Sequence, residues 1–296
     1  MTIALLYLGT VLIWGSTWLA IKFQLGVVAP EVSIAYRFAL AATILLVYCV
    51  VQRRPMRFSL AQHMGFALLG FFLFSANYFA FYVATGYMTT GLVAVVFSGI
   101  VVTNIIFGAI LMGNPIKPWV ALGAAVGIAG LTVVFWPEVM AFDMARDGSL
   151  GLILCIVGTV LASLGNMASV RNQRQGLPVL QGNAYGMSYG TLFMVLFALA
   201  GGQDFDFEMT SAYVGSLAYL ALFGSVFGFG FYLTLLGRIG ADKAAYATVL
   251  FPIIALGLST LFEDFQWSGA TFAGMLLVLG GNVLVLSRPR VKRAAA

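Results

Sequence analysis

The chain is 296 residues long, 61% hydrophobic and only 8% charged, with a mean hydropathy of +1.01. Soluble domains carry about a quarter of their residues charged, so this composition excludes one and points to an integral membrane protein. The net charge of +5 is spread over many short segments, which argues against a nucleic-acid patch.

A helix needs about 20 apolar residues to cross a bilayer core of roughly 30 Å. On that measure ten spans are predicted, over residues 3–22, 32–51, 62–84, 88–111, 119–136, 150–170, 179–200, 211–237, 243–262 and 269–287. Almost no chain remains for a soluble domain. The first span has neither a basic segment before it nor a small-residue cleavage site, so it reads as an uncleaved helix.

That span contains "LIWGSTWLAIK", Leu12 to Lys22. Gly15 lets a neighbouring helix approach, Ser16 and Thr17 offer hydroxyls, and Trp14 and Trp18 offer π-faced walls for an amphipathic solute. Lys22 is either a snorkelling helix end or a ligand for anions. The second span brings Arg37, an ionised residue inside an apolar run. Three readings stay open for it: an anchor at the outer headgroups, a holder of a substrate carboxylate, or a partner of an outside acid such as Glu31.

A polar side chain in lipid must point into the bundle or find a partner, so the remaining mid-span polar residues are cavity candidates. These are Asn77, Tyr78 and Tyr82 in the third span and Thr103 and Asn104 in the fourth. Ser163 and Asn166 follow in the sixth, Tyr185 and Tyr189 in the seventh, Tyr232 in the eighth, and Tyr246 and Thr248 in the ninth. The competing reading for Ser and Thr is a bond back to their own helix. Gly91, Gly99, Gly228 and Pro252 are candidate hinges. In the fifth span Gly123 and Gly127 form a G-x-x-x-G, which suits either an outer packing helix or a weak dimer contact, so the chain is expected as a monomer or weak homodimer.

No Asp or Glu lies within the ten spans, and His63 sits only at the start of the third. Proton-coupled carriers commonly embed such a group. Its absence favours a neutral or zwitterionic substrate over a cationic drug, with weak or no proton coupling. Cys49 and Cys155 fall in apolar spans as packing residues, and no metal or cofactor is expected. There is no HExxH, no GxSxG and no carboxylate cluster, so an enzyme is not expected.

With the N-terminus in the cytoplasm, the inner loops and tail hold Arg53, Arg54, Arg57, Lys117, Arg171, Arg174, Arg238, Lys243, Arg288, Arg290, Lys292 and Arg293. The outer side holds Lys22 and Arg146. That asymmetry places both termini in the cytoplasm by the positive-inside rule. The acids Glu31, Glu138, Asp143, Asp147, Asp204, Asp206, Glu208, Glu263 and Asp264 fall outside, against Asp242 inside.

Laying residue n over n+150 exposes a repeat. Gly15 falls on Gly165, Phe81-Tyr82 on Phe231-Tyr232, and Ala94 on Ala244. With a one-residue slip, "AYRF" at 35 meets "AYGM" at 184, and "AGLTVV" at 129 meets "GGNVLV" at 280. Five spans per half is an odd number, so the second half must be inverted. That plan is common in secondary transporters whose site lies at the repeat interface. The expected divisions are an N-terminal five-helix repeat over 1–139, an inverted one over 148–288, and a basic cytoplasmic tail over 289–296.

"WGSTWLAIK", "AYRFALAA", "GLVAVVFSGIVVTNIIFGAILMG", "GADKAAYATVLFPIIALGLSTLFED" and "AGMLLVLGGNVLVL", in that order, resemble the EamA-type branch of the drug/metabolite transporter superfamily. Within it the chain looks most like the YddG-type exporters of aromatic and other amino acids. The resemblance implies an all-α integral membrane fold, with ten transmembrane helices in two inverted five-helix repeats around a central cavity. It also implies export of small metabolites across a bacterial inner membrane. Two positions depart from the family pattern. A proline usual in the fourth helix is Val102 here, while its counterpart Pro252 is kept. The Gly-Glu closing that helix reads Gly113-Asn114, its counterpart being Glu263-Asp264.

Overall fold

The computed structural model describes residues 2–113, 116, 118–136, 147–232 and 246–286, without the side chains of residues 147, 148, 246, 248, 249, 285 and 286. Asn114, Lys117, Glu138, Asp143, Arg146, Arg238, Asp242, Lys243 and the tail at 289–296 lie outside the described residues.

All regular structure among the described residues is helical. In chain order the helices are α1 (Ile3–Lys22), α2 (Pro30–Val51), α3 (Leu60–Thr85), α4 (Thr90–Met112), α5 (Pro118–Val134), α6 (Asp147–Arg174), α7 (Val179–Ala200), α8 (Ser211–Tyr232), α9 (Tyr246–Phe262) and α10 (Gly269–Leu286). Among them α1–α4 and α6–α8 are long and apolar enough to span a membrane, while α5, α9 and α10 supply shorter apolar helices.

Local chemistry sets several boundaries. Thr2 caps α1 by accepting from the Leu5 N–H at 3.3 Å. Ser59 and Gln62 form a reciprocal capping box at the start of α3. Pro30 opens α2, where its missing N–H costs nothing, and Glu31 in the same turn suits the positive end of the helix dipole. Gly113 ends α4 in the left-handed region at φ 70°, which a side chain would resist.

Three helices are interrupted. Phe72–Ala76 winds as a π-helix inside α3, and Leu220–Phe227 does so inside α8. The offset of 150 carries residues 72–76 onto 222–226, inside the second π segment. The third break is in α4, between Thr90–Phe97 and Ile100–Met112, where Ser98 and Gly99 form a turn. Gly99 therefore sits at a bend, three residues before Val102. Gly91, expected as a hinge, lies in regular helix and serves close packing: a Cβ there would fall 2.9 Å from the Leu256 Cα. Pro252 lies inside α9.

The most extensive packing joins α5 with α10, α3 with α6 and α2 with α7. The G-x-x-x-G of α5 is occupied within the chain. A Cβ on Gly281 would lie 2.5 Å from the Gly127 N and 2.6 Å from the Gly123 O, and one on Gly130 would lie 2.6 Å from the Val278 N. With the backbones this close, the dispersion contacts that hold helices in lipid are at their densest. Helix α3 packs on α6 and α7, α1 on α9 and the first part of α4, and α2 on the π segment of α8.

The turns at the two ends differ in charge. One end carries Glu31, Asp204, Asp206, Glu208, Glu263 and Asp264 with Lys22; the other carries Arg53, Arg54, Arg57, His63, Arg171 and Arg174. They are called the acidic and basic ends below.

Candidate functional site

Arg37 is 1% exposed and sits seven residues into α2, about 10 Å along the helix axis from its acidic end. A guanidinium stays protonated even there. Its Nε donates to the Ser225 Oγ at 3.2 Å, and one terminal nitrogen donates to the Tyr78 hydroxyl at 3.5 Å. Its carbon lies 4.5 Å from the Tyr78 ring centroid and 5.1 Å from that of Phe38, within cation–π range. The other terminal nitrogen, Nη1, is buried without a hydrogen-bond partner. Among the described residues no carboxylate lies within ion-pair distance of it; the ion pair found is Lys22 with Glu263. The reading of Arg37 as a partner of Glu31 is therefore corrected, as is that of a headgroup anchor, since the side chain is sealed inside the bundle.

The groups around it come from three other helices. Tyr82 is fully buried with its hydroxyl facing Arg37, and no group lies within 3.5 Å of that hydroxyl as a hydrogen-bond partner. Asn77, 3% exposed, has an unpaired amide oxygen. Ser225 donates to the Leu220 carbonyl at 3.0 Å, five residues back, as the π-helical winding allows. Trp14 donates to the Gly224 carbonyl at 3.0 Å, satisfying an acceptor of that irregular turn, and its ring lies against Gly228. A chain of rings then runs away from Arg37: Tyr78 to Phe38, Phe74, Phe229, Trp14 and Phe251, edge to face except for the tilted Phe38–Phe74 pair, with successive centroids 4.9–5.6 Å apart. Tyr232 flanks Trp14 at 5.1 Å. The small hydroxyl residues of α1 bond in part back to their own helix. Thr17 bonds back to the Trp14 carbonyl at 2.8 Å, and Ser16 bonds back to Leu12 while also meeting the Tyr219 hydroxyl at 2.6 Å. Trp18, 7% exposed, packs edge-on to Phe81 and tilted against Phe97.

Toward the acidic end the bundle is closed by polar side chains. Gln24, fully buried, donates to the Tyr213 carbonyl (2.9 Å) and the Ser216 hydroxyl (2.6 Å), while Ser33 meets the Tyr213 hydroxyl at 2.9 Å. Beside them Glu263, the residue after α9, accepts from the Thr90 N–H (3.0 Å), the Thr90 hydroxyl (2.6 Å) and the Ser259 hydroxyl, and pairs with Lys22 at 3.3 Å. One carboxylate thus ties α1, the start of α4 and α9 together, and sits at the positive end of the α4 dipole.

Other candidates lie apart from Arg37. Asn104 accepts from Ser163 (2.8 Å) and Asn166 (3.2 Å), a satisfied bridge between α4 and α6, and Thr103 bonds back to Ile100. Tyr185 and Tyr189 belong to the basic end, where their hydroxyls meet the Met56 carbonyl (2.7 Å) and His63 Nδ1 (3.0 Å). Both are expected deeper in the span, whereas here their rings turn to the start of α3 and the turn before it. The side chains of Tyr246 and Thr248 lie outside the described residues. Cys49 and Cys155 are buried free thiols. Among the described residues no group of His, Cys, Asp and Glu could hold a metal.

Sequence reasoning missed Ser225, Gln24, Ser33, Tyr213, Ser216, Thr90 and Ser259. The repeat could have found Ser225: it falls 150 residues after Ser75, and each lies in a π segment.

The model of the EamA-like transporter family matches residues 1–136 and 149–287. The chain is 24% identical to the uncharacterized transporter YyaM of Bacillus subtilis, over 100% of this chain and 99% of that one. It is 24% identical to a probable amino-acid metabolite efflux pump of Escherichia coli (92% and 90%), and 22% identical to protein PagO of Salmonella typhimurium (94% and 89%). A solved crystal structure shares the fold with a TM-score of 0.68, at 18% identity and 95% coverage of both chains.

Proposed function

The chain belongs to the EamA-like transporter family, and from its geometry we propose a secondary transporter that exports amino acids, aromatic ones included, across a bacterial inner membrane. Transport runs by alternating access around the Arg37 centre, with both termini cytoplasmic and weak or no proton coupling. The observation that carries this is one buried polar centre in which Arg37 meets Tyr78, two residues past the π segment of α3, and Ser225, inside the π segment of α8, two breaks that the 150-residue offset superposes. Irregular backbone at membrane depth is tolerated where it serves a site, and a site at the interface of two repeats is what an inverted carrier needs.

Two further observations support the inverted repeats. The helices that would be mates, α2 with α7 and α5 with α10, pack on each other, as a pseudo-two-fold axis between them requires. With a one-residue slip, mate contacts also recur: Gly158 receives the Phe81 ring, and Gly9 receives that of Phe231. The amino-acid assignment draws on the printed name of the Escherichia coli relative and on the amphipathic lining. The basic end carries the inside charge excess, which orients it to the cytoplasm.

The test is counterflow of labelled phenylalanine and threonine into proteoliposomes, with and without an imposed pH gradient. Saturable exchange, inhibited by other amino acids and indifferent to the gradient, is expected. Failure of amino acids together with gradient-driven uptake of a lipophilic cation would replace this function with drug export.

A further inference from the structure

We propose that the Arg37 centre reads a carboxylate and does not read an ammonium, so that the preferred substrates are amphipathic monocarboxylate anions. This rests on the carrier reading above and names the chemical class its site selects. Zwitterionic amino acids would then enter as weaker members of a wider class.

The argument begins with an uncompensated charge. A guanidinium buried in the bundle loses its hydration, and the groups around it return only part of that loss. The Ser225 hydroxyl, the Tyr78 hydroxyl and two ring faces meet Arg37, but none carries a negative charge. Nη1 is left over as a buried donor, and the Tyr82 hydroxyl, whose oxygen faces the guanidinium, keeps its own proton as a second. A guanidinium nitrogen and a hydroxyl proton, next to a cation without an anion, are complementary to one carboxylate: Nη1 supplies a charge-assisted bond and Tyr82 a neutral one.

An ammonium finds no such reception. Among the described residues no carboxylate lies within ion-pair distance of Arg37: the buried Glu31 stands at the opening turn of α2, and Glu263 is already committed to Lys22, Thr90 and Ser259 at the acidic end. The like charge of Arg37 disfavours an ammonium placed next to a bound carboxylate, and the Tyr78 face, the nearest cation–π acceptor, is taken by Arg37 itself. The ring series from Phe38 to Phe251 then offers an apolar wall for the rest of the solute. A carboxylate head with an aromatic or branched apolar tail, and no free amine, fits all of these features.

The experiment uses the full chain, purified and reconstituted. Binding of 3-phenylpropionate, N-acetylphenylalanine, phenylalanine and phenethylamine is followed by intrinsic tryptophan fluorescence, and the same four are tested as inhibitors of phenylalanine counterflow. The expected order places 3-phenylpropionate and N-acetylphenylalanine at or above phenylalanine, with phenethylamine inert. Arg37→Gln is expected to weaken carboxylate binding by about 10- to 100-fold, and Arg37→Lys by less, since the loss is that of one charge-assisted bond. Tyr82→Phe is expected to weaken it a few-fold. Melting temperatures of the variants separate loss of binding from loss of fold, and Arg37→Lys keeps the charge should Arg37→Gln not fold.

Phenethylamine competing as well as 3-phenylpropionate overturns the proposal. So does wild-type carboxylate affinity in folded Arg37→Gln, or no binding of either deaminated acid to the wild type. Carboxylate binding without counterflow of any solute would sink the carrier reading and leave this one standing. Phenylalanine counterflow that phenethylamine inhibits and 3-phenylpropionate does not would do the reverse.

Discussion

Glu263→Gln is the sharpest probe of how the acidic end is held shut. The ion pair itself is minor, because Lys22 is 46% exposed and a half-exposed pair is worth under about 1 kcal/mol. The larger effect lies with the three donors that converge on the carboxylate, of which two come from Thr90 at the start of α4 and one from Ser259. A glutamine oxygen keeps these bonds but makes them neutral, and its amide turns a donor toward Lys22. Losing charge assistance and the favourable end of the α4 dipole costs about 2–3 kcal/mol in total. If the cluster closes this end, the closing equilibrium shifts by about 30- to 150-fold. The assay is maleimide labelling in nanodiscs of a cysteine placed at Val93, which is fully buried one turn inside Thr90, with Cys49 and Cys155 replaced. Glu263→Gln is expected to speed labelling at least tenfold, and Lys22→Met no more than about threefold. Equal rates in Glu263→Gln and wild type, or a larger effect from Lys22→Met, would refute the assignment of closure to the carboxylate.

Three other substitutions follow from local geometry. Gly130→Val drives a side chain into the α10 backbone and should destabilise by about 2 kcal/mol or more, read as a fall in melting temperature; an unchanged melt would mean that α5 and α10 do not pack this way. Trp14→Phe keeps the ring contacts but removes the donor to Gly224, for a loss of about 1 kcal/mol on the same assay. Tyr185→Phe and Tyr189→Phe should leave the half-saturation of counterflow within twofold of wild type, because their hydroxyls serve Met56 and His63; a fivefold rise would place substrate at the basic end.

The helices were legible because their apolar runs and breaks are long and unambiguous, and α1 and α7 match their predicted bounds. The polar residues were legible as a set but not as a site. Membrane depth can be counted along a helix, whereas facing depends on partners that the sequence does not order. Tyr78 and Tyr185 look alike in an apolar span, yet one meets Arg37 and the other a backbone carbonyl. Gln24 was invisible for another reason: it follows α1 in a turn, where a polar residue ordinarily meets water, and here it is buried against α8. The π segments have no composition of their own, and only the paired positions of Ser75 and Ser225 betray them.

Under the inverted-repeat reading, contacts missing from one half predict the other conformation. Gly165 is closed down on Leu73, with a Cβ there falling 2.7 Å from the Leu73 Cβ. The mate of that contact would join Gly15 to Phe223. Instead Gly15 faces Ile254, and Phe223 is 42% exposed, stacked on Tyr219 at 5.3 Å. Exchange of the two arrangements therefore requires α8 to swing until Phe223 covers Gly15, using the π segment and Gly228 as the place of bending. Spin labels at Leu12 and Phe227, both exposed, report on that approach without entering the core. Their distance distribution should gain a shorter population when saturating 3-phenylpropionate or phenylalanine is added. A distribution that neither ligand nor Glu263→Gln changes would mean that α1 and α8 move as one body, and the exchange would have to run through α3 and α6 instead.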